Sequence, residues 1–251
     1  MIKEVLFDAD WLLYRFCFAS ETKILWSDGS TQIHADPREA LLMIQTYIKS
    51  VLTALGGGLP TMALSDSMNF RKEVYPQYKA NRKNNRRPST LSVVRQLLKD
   101  KYNHLQWDRL EADDIIGILG TSRTDLIAVG IDKDFRSIPI TYFNPLTWKT
   151  IITSPEEALM NFYKQVLTGD PVDGYAGCPG YGPVRAQELL KDASSPTEMW
   201  DLVRSTYEER GKSEEDAIRM ARMAKILTHG EYNLDTKEIT LWTPPTSSRN
   251  Q

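Results

Sequence analysis

Within the eight residues Leu110-Glu111-Ala112-Asp113-Asp114-Ile115-Ile116-Gly117, the chain sets three carboxylates at the head of an apolar run. Read as a helix, the run puts Glu111, Asp113 and Asp114 at its first turn, where the positive end of the helix dipole lowers the cost of massed negative charge. The cost does not vanish, because carboxylates this close repel and one takes up a proton unless a cation sits among them. A cluster of oxygens asks for a hard divalent metal. Acids in a first turn are also common as simple dipole complements, so the rest of the chain must decide. Four other stretches carry acids directly after a short apolar run: Val5-Leu6-Phe7-Asp8-Ala9-Asp10, Met62-Ala63-Leu64-Ser65-Asp66, Ile127-Ala128-Val129-Gly130-Ile131-Asp132-Lys133-Asp134 and Leu167-Thr168-Gly169-Asp170-Pro171-Val172-Asp173. Ligands of an open α/β sheet gather beyond the carboxyl ends of its strands. Acids at three strand ends and one helix start can therefore converge on one crevice.

Asp8, Asp66, Glu111, Asp113, Asp132, Asp134, Asp170 and Asp173 together carry more charge than one ion could offset. Mg²⁺ takes octahedral oxygen ligands and keeps several waters, so two ions sharing carboxylates are the natural content. Two metals about 4 Å apart clamp the attacking and leaving oxygens of an in-line phosphoryl displacement. The net charge of −2 conceals the matching feature: residues 71–87 hold seven cations against Glu73 alone, a local balance of +6, so the remainder carries −8. Such a segment reads as a footprint for phosphates, or as a solvated loop. Gly180 and Gly182, in a turn that ends on a helix start near Arg185, let backbone N–H groups approach an anion. A hairpin of that kind holds a duplex backbone without reading its sequence, although an ordinary glycine-rich connection looks the same.

The elements that must position these residues follow from periodicity and punctuation. Strands are expected at 3–8, 61–65, 103–107, 126–131, 140–144 and 148–153, and a small hairpin at 23–34 turning on Asp28-Gly29. Asp36-Pro37-Arg38-Glu39 is a helix start, and that helix stops at Gly56-Gly57-Gly58. Strands alternating with helices predict a mainly parallel α/β sheet with helices on both faces. From residue 155 the pattern is helical, at 155–167, 183–191, 196–210 and 213–229, with an extended tail at 231–245 docking on the body. The expected division is thus 1–154 and 155–251.

At 251 residues with 41% hydrophobic and 25% charged content, the chain has the composition of a soluble globular protein. Met1-Ile2-Lys3-Glu4 leads straight into a strand, with no leader expected, and no apolar run approaches the ~18 residues of a membrane span. Cys17 and Cys178 have no ligand spacing and read as reduced thiols of an intracellular protein. His34, His104 and His229 show no metal spacing, leaving little for zinc or Ser-His-Asp chemistry.

Taken together, Phe7-Asp8-Ala9-Asp10-Trp11-Leu12, Ser65-Asp66-Ser67-Met68-Asn69-Phe70-Arg71-Lys72, Tyr78-Lys79-Ala80-Asn81-Arg82-Lys83, Glu111-Ala112-Asp113-Asp114, Asp132-Lys133-Asp134-Phe135 and the stretch from Gly169-Asp170 to Gly182 resemble the 5′ nucleases of the flap endonuclease superfamily, above all the 5′ to 3′ exonucleases of short-tailed phages. The resemblance implies a PIN-like nuclease domain with a basic arch at about 67–90 and a helix-two-turn-helix DNA-binding element. It implies 5′ to 3′ hydrolysis of duplex DNA, flap endonuclease activity, RNA–DNA hybrids as a further substrate, and action in the host cytoplasm. By the same resemblance Asp8, Asp66 and Asp113 match ligands of a first Mg²⁺ (or Mn²⁺), and Glu111, Asp132, Asp134 and Asp170 those of a second. Asp114 and Asp173 match acids that ligate directly or through water. Lys79 and Arg82 match arch residues that contact the scissile phosphate. Tyr14 matches an aromatic on which the terminal base stacks, with Arg15 at the same mouth. Arg71, Lys72, Tyr78, Lys83, Arg86, Arg87, Gly180, Gly182 and Arg185 complete the expected DNA contacts. The family's turn binds K⁺ through carbonyls; here Cys178-Pro179 interrupts its usual pattern.

Two rivals share pieces of this pattern. A haloacid-dehalogenase-like phosphatase would use Asp8 as nucleophile and Asp10 as acid, but leaves Glu111-Ala112-Asp113-Asp114 and the basic segment without roles. A PIN-type ribonuclease would share the metal site but lack the glycine hairpin and the helical second half.

Overall fold

The computed structural model describes residues 2–246. Its first strand, β1 (Glu4–Asp8), is buried from Val5 onward, as a strand covered on both faces must be. Asp8 ends the strand and caps α1 (Ala9–Ala19), its carboxylate accepting from Trp11 N at 3.3 Å. An exposed hairpin, β2 (Thr22–Leu25) and β3 (Thr31–His34), turns at Gly29 with φ of 82°. There follow α2 (Pro37–Ala54), β4 (Leu59–Ala63), the single-turn α3 (Arg71–Val74) and α4 (Leu91–Lys101). After them come β5 (Asn103–Leu105), α5 (Ala112–Ser122), β6 (Leu126–Val129), β7 (Thr141–Asn144) and β8 (Lys149–Ile152). The helical part comprises α6 (Pro155–Thr168), α7 (Pro183–Leu190), α8 (Pro196–Glu209) and α9 (Glu214–Ala224).

Six strands form one sheet in the order β5-β4-β1-β6-β7-β8, parallel throughout except for the antiparallel edge β8. The pleat divides the core. Val5, Phe7, Met62, Ile127 and Val129 face α1, α2 and α4, whereas Leu6, Ala63, Leu126 and Ala128 face α5. A third core fills the space between α6, α8 and α9.

The basic segment at 67–90 contains little regular helix. Apart from α3, the segment holds only a 3₁₀ turn at Ala80–Asn84, entered through Lys79 at φ of 56°. Nor does the last helix reach residue 229. It stops at Ala224 because Ile226 and Leu227 turn into the core beside α5. Leu227 O lies so close to Gly117 that a Cβ there would stand 2.3 Å from it, which is why that helix position is glycine. The tail then docks as expected: Tyr232 bridges Ile239, and the Trp242 ring sits 5.0 Å from Trp200 and 5.7 Å from Phe162.

Candidate active site

The carboxyl ends of β1 and β6, the start of α5 and the end of α6 bring Asp8, Asp132, Asp134, Glu111, Asp113, Asp170 and Asp173 within range of one another's charge. Their mutual charge is evident in their acidities. Burial pushes Asp8 up to about 7, and the charges of Asp10 and Asp132 add to it against the Trp11 amide. Burial also drives Asp113 well above the carboxylate range, together with Asp132, Asp8 and Glu111. Asp134 rises to about 6 through burial and the charge of Asp132, despite a 2.8 Å hydrogen bond from Gln165. Burial raises Asp132 as well, and its Oδ1 accepts from Asp134 N at 2.8 Å.

Two acids go the other way. Burial would raise Glu111, but Lys79 and Arg71 beside it, with the Tyr78 hydroxyl donating at 2.8 Å, bring it down to about 2. Burial of Asp170 is likewise outweighed by Lys133 at 2.8 Å and by the amides of Val172 and Asp173. Lys79 pairs with Glu111 and lies 3.7 Å from Asp173, which Arg82 also engages.

Several expected roles change. Asp66 is held at a distance from the other acids: it accepts from Arg109 N at 2.9 Å, Ser67 N at 2.8 Å and Gln106 Nε2 at 3.3 Å. Asp114 is fully buried in a two-pronged pair with Arg71, both contacts 2.8 Å, and is a structural acid rather than a ligand. Arg71, only 3% exposed, is therefore no DNA contact; its other donors reach Lys225 O at 2.6 Å and Met223 O at 3.3 Å. Tyr78 is buried too, its hydroxyl shared by Glu111 and Asp173. Arg15 lies over the rings of Trp11, Phe16 and Tyr47 instead of at a substrate mouth. Lys133, in the turn after β6, was missed as the partner of Asp170; its one signal in the sequence is its place between two acids.

Outside the crevice, Tyr14 is exposed on α1, as are Lys72, Lys83 and Arg87. Arg86 pairs with Glu21 at 2.6 Å and stacks on Phe18. In the turn between α6 and α7, Gly169 and Gly177 meet back to back, both at φ of 67°, where a Cβ on Gly177 would stand 2.3 Å from Gly169 N. Gly180 is left-handed at φ of 78° and its carbonyl accepts from Arg185 at 3.0 Å. Gly182 opens α7 with no side-chain cap, so its first N–H groups have no protein side chain upon them.

The donor set suits a divalent ion in kind and in charge: every acid is an oxygen donor, and acids from four elements raise one another's proton affinity. Among the described residues no three of them stand close enough to hold one ion as they are. Lys79, Arg82 and Lys133 reach in among them and neutralise part of the charge.

The acids gather at the carboxyl edge of the parallel sheet, with Lys79, Arg82 and Lys133 among them and the glycine turn of residues 169–182 carrying Asp170 and Asp173. Residues 3–158 match the family described as the 5′-3′ exonuclease N-terminal resolvase-like domain, and the chain belongs to that family. It is 30% identical over 279 residues to the exonuclease of Escherichia phage T7, covering 96% of this chain and 93% of that one. The exodeoxyribonuclease of Enterobacteria phage T3 matches at 30% with 96% and 92% covered. The flap endonuclease Xni of Shewanella woodyi is 29% identical over 63% of this chain and 69% of its own. The fold matches that of a phage T5 flap endonuclease solved with DNA and metal ions, at a TM-score of 0.67 and 16% identity, over 89% of both chains. The protein is thus a 5′-3′ exonuclease-class, structure-specific nuclease.

Proposed function

We propose that the protein is a divalent-metal-dependent 5′ to 3′ exodeoxyribonuclease, with flap endonuclease activity, that removes nucleotides from 5′ ends of duplex DNA during phage DNA replication and breakdown. The observation that carries this reading is the gathering of seven carboxylates from four elements with Lys79 and Arg82 between them. Asp8, Asp113, Asp132, Asp134 and Asp170, with Glu111 and Asp173, would hold Mg²⁺ or Mn²⁺. Bound there, the ions supply a hydroxide nucleophile and a charge sink for the leaving oxygen.

The protein's own side chains do the rest. Arg82 and Lys79, which pair with Asp173 and Glu111, would meet the scissile phosphate and stabilise the charge that develops on it. Tyr14 offers an open ring face to an unpaired terminal base. Gly180, the N–H groups behind Gly182, and Arg185 grip the duplex backbone at a distance from the chemistry. Asp10 accepts from Arg95 at 2.7 Å, so the carboxylate a phosphatase would use as its acid is already engaged by a guanidinium.

Duplex DNA labelled at the 5′ or the 3′ end, incubated with the protein and Mg²⁺, tests the reading. Short products released from 5′ ends, lost on chelation and in Asp132→Asn while duplex binding persists, are expected. Turnover of a small phosphate ester with intact DNA would overturn it.

A further inference from the structure

Asp10, Ser65 and Arg95 are tied into a closed circuit that touches two of the elements carrying the acids, β1 and α5. The register pairs Asp8 of β1 with Ala63 of β4, so Asp10 and Ser65 each lie two residues beyond neighbouring strand ends. Asp10 accepts from Ser65 N at 2.9 Å through one oxygen and from Arg95 at 2.7 Å through the other. The second arm of the Arg95 guanidinium donates to Ser65 O at 2.5 Å, which closes the ring. Ser65 Oγ meanwhile accepts from Ala112 N, the first amide of α5, at 3.0 Å. That amide lies between Glu111 and Asp113.

Each contact fixes something a strand end does not fix for itself. Beyond its last ladder bond a strand is free to splay. Arg95, anchored on α4, holds the ends of β1 and β4 at one separation, and Ser65 transmits that separation to the start of α5. Arginine suits the task because its planar fork reaches a carboxylate and a carbonyl in one fixed geometry, which a lysine ammonium cannot reproduce. The circuit is half-exposed, with Asp10 and Arg95 side chains 28% and 27% accessible, so it is a weak source of stability.

Building on the nuclease reading above, we propose that Arg95 and Asp10 are positioning residues: they set the spacing of Asp8 against Asp113, and neither touches substrate or metal. The test compares Arg95→Met, Asp10→Asn, the double variant and Arg95→Lys in the full chain. Turnover of 5′-labelled duplex at saturating DNA, KM for DNA, the Mg²⁺ concentration giving half-maximal rate, and the urea midpoint are all read. Both single variants are expected to lose roughly tenfold in kcat, since small misplacements of reacting groups cost up to about a hundredfold. They should also need several-fold more Mg²⁺, with KM for DNA and the urea midpoint little changed. The double variant should be no slower than either single one, and Arg95→Lys should recover only part of the rate. Multiplicative losses in the double variant, or Asp10→Asn as inactive as Asp8→Asn beside a fully active Arg95→Met, would make Asp10 a direct ligand and overturn the proposal. A lowered urea midpoint with unchanged kcat would reduce the circuit to a structural clasp and overturn it equally. Wild-type protein that leaves every DNA intact would instead overturn the nuclease reading.

Discussion

Replacing Arg71 with methionine removes the guanidinium but keeps most of the stem volume. The carboxylate of Asp114, fully buried, would then keep only Leu227 N at 3.1 Å and Glu111 N at 3.2 Å as donors. The carbonyls of Met223 and Lys225 would lose theirs as well. Breaking a buried ion pair from one side costs about 3–5 kcal/mol, chiefly through the charge left behind. Against a domain stability of roughly 5–15 kcal/mol, that is a third or more of the total. Removing both charges in Arg71→Met/Asp114→Leu should restore most of the loss, because an apolar pair of similar volume is often as stable as the buried salt bridge it replaces. Cleavage should recover less than stability does, since Glu111 still lacks the 3.3 Å contact from Arg71. Equilibrium urea unfolding of the three proteins, beside their cleavage rates, measures each point. A single-variant loss below about 1 kcal/mol, or a double variant no more stable than the single one, would refute the reasoning.

Arg82→Ala should slow cleavage by roughly a hundredfold, the scale of losing one charge-stabilising donor, while duplex affinity measured by filter binding falls far less. Gly177→Ala forces a side chain into the Gly169 amide at a left-handed backbone position, and should weaken duplex binding together with cleavage because Asp170 follows directly on that helix end. Trp242→Ala empties the space between Trp200, Phe162 and Tyr163 and should cost about 3–5 kcal/mol in urea unfolding, with KM for DNA unchanged.

The strand ends were legible because a buried parallel strand is an uninterrupted apolar run, and an acid directly after one marks its carboxyl end. Asp8, Asp132 and Asp134 lie just where that rule puts them, at or beyond the ends of β1 and β6, and Glu111 and Asp113 lie at the start of α5. The rule says nothing of direction, and for Asp66 that is decided by the loop 106–109, where the Arg109 amide and Gln106 each hold one oxygen. Asp114 points differently from Asp113 because one residue along a helix rotates a side chain by about 100°, which carries it into the core beside Arg71. The basic segment shows where counting charge stops being informative. Arg71, Lys79, Arg82 and Arg86 all find acids within the molecule, leaving Lys72, Lys83 and Arg87 as its free cations among the described residues. A composition window records sign and number, but not which partners the fold has already supplied. The short α9 was hidden similarly, since nothing local announces that Ile226 and Leu227 are needed elsewhere.

The return of residues 223–227 to Arg71 and Asp114 has a consequence for synthesis. A nascent polypeptide leaving the ribosome carries Asp8, Glu111, Asp113 and Asp132 long before Leu227 emerges, yet the amide and carbonyls that settle the neighbouring charge pair arrive only then. A chain ending before residue 223 therefore lacks the partners that complete this pair, and the start of α5 is left without part of its support.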